Sequence, residues 1–93
     1  MNLTTEQLDK IEEAAALFLT PYDIAILLDI NTDDFIQIIH NPDCEPTKRY
    51  NKGKTIAKFE IRKNIVENAK KGSTSAQDLI KQYMIDQDKA ERK

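Results

Sequence analysis

Residues 1–35 contain three helix starts of one chemical design, and a chain punctuated this closely can build only short helices there. Thr4 is placed to cap a first helix, with Gln7 completing a reciprocal capping box. Thr20 caps a second, Pro21 takes the first helical position, where its missing N–H costs nothing, and Asp23 sits at the third. Asn31 caps a third helix, with Asp34 three residues on. Each cap is flanked by an apolar pair spaced as a hydrophobic staple: Leu3 and Leu8, Leu19 and Ile24, Ile30 and Phe35. Leu8, Ile11, Ala15 and Phe18 recur at helical spacing and define the inner face of the first helix.

The third helix is expected to stop near Asn41, because Pro42 disfavours helical geometry in the residue before it. NPDCEPT then reads as a loop, and a long fourth helix runs from about Gly53 or Lys54 to Lys71. Lys70 and Lys71 complement its C-terminal dipole, and Gly72 takes a left-handed cap. Thr74 and Gln77 offer another capping box, opening a fifth helix with Ala76, Leu79, Ile80 and Tyr83 on one face. The short Gly-Ser-Thr link predicts an antiparallel hairpin of helices four and five, and DQDKAERK reads as a fraying tail.

Only two glycines and three prolines among 93 residues, with 32% charged, suit an all-α fold. A chain of this length has a marginal core, and its one cysteine cannot form an internal disulfide, so self-association is the expected support. The sequence shows neither a secretory leader nor a membrane-length apolar run, which predicts a reduced, cytoplasmic protein. The net charge of −2 conceals a division. Residues 1–47 hold ten acids against the single Lys10, whereas residues 48–71 hold nine Lys/Arg against Glu60 and Glu67. Such asymmetry points to a polyanion partner, or to acidic and basic faces that dock between copies.

Thr20 to Asn41 is spaced like a helix-turn-helix. Ala25 is the small residue that a steep helix crossing requires, Ile24, Leu28, Ile30, Phe35 and Ile38 are the apolar anchors, and Asp29 stands at the turn position that favours left-handed backbone. The fold expected is therefore all-α: a helix-turn-helix three-helix bundle over residues 1–47, followed by a long antiparallel helical hairpin over residues 48–93. The second helix of the motif opens on Asp33 and Asp34. These acids favour the helix N-terminus by about 0.3–1 kcal/mol each, yet repel the phosphates that groove entry would bring to the same place. Gln37 and His40 are secondary candidates for DNA contact. Ile36 and Ile39 make this helix apolar on a second side and are expected at a subunit interface.

Lys48, Arg49, Lys52, Lys54 and Lys58 crowd one stretch with no acid among them, the pattern of a phosphate-contacting surface. Further along, Glu60–Lys63, Lys63–Glu67, Glu67–Lys70 and Glu67–Lys71 have the spacing of surface ion pairs. Ala57, Ile61, Ile65 and Ala69 form one apolar stripe on this helix; Ile56, Phe59 and Val66 lie elsewhere and are further interface candidates.

The block YNKGKTIAKFEIRKNIVENAKKGSTSAQDLIKQYMIDQDK resembles phage small terminase subunits and related prophage proteins. The marks are Tyr50-x-x-Gly53, a long helix ending in Ala69-x-x-Gly72, and the Ala76-Gln77 pair that leads into a closing helix; with the preceding motif, the resemblance covers about residues 20–88. The acidic second helix departs from that pattern, as does Lys81-Gln82-Tyr83-Met84, where the family commonly carries bulkier aromatic or leucine-rich segments. The resemblance implies a non-catalytic subunit that recognises double-stranded DNA for genome packaging, forms a ring and recruits a packaging ATPase in a bacterial host cytoplasm. The residues alone also allow an assembly module without DNA binding, or a helix-turn-helix transcriptional regulator. No enzyme, cofactor or metal is expected: the chain has no phosphate-binding glycine loop, and His40 with Cys44 falls short of a four-ligand zinc set.

Overall fold

The computed structural model describes residues 1–92, and they are all-helical. Five helices follow in order: α1 (Thr5–Ala16), α2 (Pro21–Leu27), α3 (Thr32–Ile39), α4 (Glu45–Lys70) and α5 (Thr74–Glu91). Contacts divide the chain into two compact units, Met1–Lys58 and Phe59–Lys93, with the boundary inside α4. No helix among the described residues is long and apolar enough to cross a membrane.

The first unit starts its helices where the caps say it must. Thr4 Oγ1 accepts from Gln7 N–H at 3.1 Å while the Gln7 side chain accepts from Thr4 N–H at 2.9 Å. Thr20 accepts from Asp23 N–H at 3.2 Å, and Asn31 from Asp34 N–H at 2.9 Å. Ile11, Ala14, Ile24, Ala25 and Phe35 form the buried core, with Leu3, Leu8, Leu19, Leu28, Ile30, Ile39 and Tyr50 packed around it. Every expected staple residue thus belongs to the core or its margin. So does Ile39, which packs against the chain's own core; Ile36 is half-buried and lies outside that cluster.

Three helices end in the same way. After α1, Phe18 N–H donates to Ala15 O and Leu19 N–H to Ala14 O; after α2, Asp29 N–H donates to Ile26 O and Ile30 N–H to Ala25 O. After α4, Gly72 N–H donates to Ala69 O and Ser73 N–H to Asn68 O. This is the Schellman pattern, in which one residue turns left-handed so that the last carbonyls find donors. Gly72 (φ 101°) and Asp29 (φ 56°) take that role as their residue types predict. Phe18 (φ 68°) does not fit the pattern: a bulky side chain there costs on the order of 1–2 kcal/mol. Its helical spacing suggested an inward residue; instead α1 stops before it, and its side chain is 69% exposed. The cause is the pair Leu19 and Thr20, which must reach the core and the second cap at once.

Helix α4 begins eight or nine residues earlier than expected, absorbing Glu45-Pro46-Thr47 from the supposed loop. Pro46 stands at the second helical position, where a missing N–H is harmless. Buried Thr47 fastens the new start by donating its hydroxyl to Ile38 O at 2.8 Å, at the end of α3. In the second unit Ser73, not Thr74, caps α5, accepting from Ala76 N–H at 3.3 Å. Gln77 instead sends its amide to Ala69 O at 3.1 Å, beside buried Ala69 and Ala76. The Arg62 guanidinium lies 4.1 Å from the centre of the Tyr83 ring, a second tie between α4 and α5. The segment expected to fray is helical through Glu91. None of the four expected ion pairs among Glu60, Lys63, Glu67, Lys70 and Lys71 closes to 4.0 Å among the described residues.

Candidate nucleic-acid interface

All five clustered cations lie on α4 between Lys48 and Lys58, and this part of the helix is seated on α1. The seat is made by Gly53. A Cβ placed on it would stand 2.9 Å from Ala15 Cβ and closer still to the Glu12 carbonyl oxygen. Only a residue without a side chain lets the two backbones approach this far. Ala57, one turn on, is also buried.

One turn before Gly53, Arg49 reaches the acids of α1. Its guanidinium donates to the Asp9 carboxylate, and its Nε to Glu12 Oε1 at 2.9 Å. The hydrogen bond with Asp9, reinforced by Glu12 against a partial desolvation, holds the Arg49 pKa above its ordinary value. Lys52 Nζ stands 3.7 Å from the same Glu12 oxygen, though its side chain is 65% exposed, so this pair is weak. Asp9 and Glu12 are three residues apart, as are Arg49 and Lys52. That matched spacing, with the charge division, was the trace of the docking in the sequence.

The charge division along the chain is therefore partly a device of folding. It is not wholly so. Lys48, Lys54 and Lys58 are exposed and make no ion pair within 4.0 Å among the described residues. The Lys54 ammonium rests 5.1 Å from the centre of the Tyr50 ring, which leaves its charge available. At about 100° per residue, Lys48 and Lys52 mark one edge of the outward face and Lys54 and Lys58 the other, with exposed Asn51 and Thr55 between. Four ammonium groups thus border a face that carries no acid from Lys48 to Phe59.

The helix expected to approach bases is chemically different. Asp33 and Asp34 are exposed at the start of α3, and Asn31 already occupies the Asp34 N–H. Gln37 is exposed and shares a shallow groove with Asp34, Asn41 and Met1; His40, also exposed, is the C-terminal cap residue of α3. Neither lies on α4 with the lysines. The outward residues of α2 are Tyr22, Asp23, Ile26 and Leu27, which give a phosphate no donor beyond the Tyr22 hydroxyl. Among the remaining interface candidates Ile56 is 42%, Phe59 64% and Val66 37% exposed. Among the described residues no three His, Cys, Asp or Glu side chains converge as a metal site would require. No known protein family, curated protein or solved structure matches this chain.

Proposed function

We propose that the chain is a non-catalytic DNA-binding subunit of the small terminase kind, holding double-stranded DNA through the outward lysines of α4. The observation that carries this reading is the acid-free face bordered by Lys48, Lys52, Lys54 and Lys58, three of them without an ion-pair partner. Ammonium groups on a rigid helix neutralise phosphates and release counterions, giving affinity that depends on salt rather than on base sequence. Arg49 is assigned to the fold instead of to DNA, because two carboxylates already hold it. Helices α2 and α3, with Ala25 buried between them and Asp29 left-handed at the turn, are read as a helix-turn-helix whose acidic second helix stays out of the groove. Helices α4 and α5 are read as the hairpin of the resemblance, in a subunit that associates with copies of itself and with a packaging ATPase.

Titrating the purified chain with duplex DNA over a salt series tests the reading. Four phosphate contacts predict a log–log slope of about −3.6, or roughly a 150-fold loss of affinity between 0.05 and 0.2 M salt. Each of Lys48→Ala, Lys54→Ala and Lys58→Ala is expected to flatten the slope by about one. Absence of binding at the lowest salt would remove the DNA reading. An assembly module without DNA binding is the second reading, and the apolar outer residues of α2 favour it.

A further inference from the structure

The least explained surface of the first unit is the corner between α1 and α2. Leu17 is 66% exposed and Phe18 69%, and on α2 Tyr22, Ile26 and Leu27 are 55–56% exposed. A helix at the edge of a small bundle normally turns polar residues outward, but three of the four outward residues of α2 are apolar. Phe18 adds an independent sign. It occupies a left-handed position that glycine or asparagine would fill without strain, and it spends that position on presenting a phenyl ring to solvent. The surroundings are acidic: exposed Asp23 and Asp29 lie on and beside α2, and no Lys or Arg occurs between Ile11 and Thr47.

The second unit carries the opposite surface. Phe59 and Val66, two turns apart on α4, are exposed and line one shallow groove with Arg62, Lys63, Lys70 and the single acid Glu67. One surface is apolar with acids and the other apolar with a surplus of cations, and both belong to the same chain. We infer that the α1–α2 corner of one copy docks on the Phe59–Val66 groove of a second copy. The contact is head-to-tail: each copy offers one donor and one acceptor surface, so assembly continues until it closes into a ring or runs on as a filament. The inference deepens the self-association part of the proposed function, names its surface, and does not depend on DNA binding.

Two variants of the full chain test it, each designed to leave the fold intact. Phe18→Asn with Ile26→Gln removes the corner while placing a residue suited to left-handed backbone at position 18. Phe59→Gln with Val66→Gln removes the groove and keeps good helix formers on α4. Light scattering coupled to size exclusion, without DNA, should show the parent as an oligomer and each double variant as a monomer at the same concentration. Their dissociation constants should rise by more than about tenfold. Mixed one to one, the two variants should form a heterodimer and nothing larger, since each retains one intact surface, and added salt should weaken it. A monomeric parent would overturn the inference together with self-association. Variants that assemble like the parent, or a mixture that stays monomeric, would overturn this surface alone and leave self-association through other residues standing. Circular dichroism matching the parent keeps misfolding out of the comparison.

Discussion

Gly53→Ala is the substitution that helix propensity and packing judge in opposite ways. In an exposed helix the change gains about 1 kcal/mol, because alanine loses less backbone freedom than glycine. Here the added methyl would lie 2.9 Å from Ala15 Cβ and still nearer the Glu12 carbonyl oxygen, whereas carbon atoms pack best at about 3.5–4.0 Å. The nearest obstacle is backbone, so no rotamer change relieves it; α1 and α4 must separate by about an ångström. That movement lengthens the Arg49–Glu12 contact and loosens Ala15. Overpacking of this kind costs about 1–3 kcal/mol, and a backbone obstacle argues for the upper end. The net expectation is a loss of about 2 kcal/mol, or a fall in Tm of roughly 10 °C for a unit of this size. Urea unfolding followed by circular dichroism measures it. Asn51→Ala, on the exposed face of the same turn, is the control and should be neutral or slightly stabilising. If Gly53→Ala proves more stable than the parent by the propensity term, the close seating of α4 on α1 is wrong.

Four further substitutions probe other features. Thr47→Val deletes the hydroxyl that reaches Ile38 O; Asn41 N–H still satisfies that carbonyl, so a loss of only about 1 kcal/mol is expected in the same urea assay. Arg49→Gln should destabilise the first unit more than Lys52→Gln, with a deficit that shrinks in high salt; equal effects would contradict the unequal pairing. The guanidinium pKa is raised by folding, so its contribution is complete below the ordinary guanidinium value and is lost only in strong alkali. Salt, not pH, is therefore the lever on the arginine side of this contact. At a concentration that keeps the chain monomeric, Phe18→Asn should match or exceed parental stability by up to about 1 kcal/mol, since it relieves a strained position and uncovers no core; a clear loss there would mean that the ring is packed within its own copy.

The parts of this fold that were legible in the sequence are those set by neighbours three to five residues apart. Thr4, Thr20 and Asn31 announced their helices because a cap and the amide it serves lie within one turn, and Asp29 and Gly72 announced left-handed ends for the same reason. Phe18 misled because its helical spacing continued past the point where α1 ends. The start of α4 was hidden by two prolines that read as a loop; Pro46 is harmless there, but the anchor that makes the start possible is Thr47 bonding to α3. The basic cluster was visible as composition. Its division into a structural Arg49, a shared Lys52 and three unpaired lysines required knowing which face of α4 meets α1. Gly53 was read as a possible helix start and as a mark of the resemblance; its use as a point of backbone contact depends on a residue 41 positions earlier in the chain.

This separation of short-range and long-range ties has a kinetic consequence. The caps that open α1, α2, α3 and α5 each close over three residues, whereas Arg49 reaches Asp9 across 40. Loops that short close early, so nascent helices should be sampled before collapse, and the α1–α4 clasp should form after the rate-limiting barrier. Weakening the clasp, by Arg49→Gln or by salt, would then quicken unfolding while leaving the refolding limb of the chevron nearly unchanged. A refolding rate that drops in step with stability would instead make the clasp part of the nucleus.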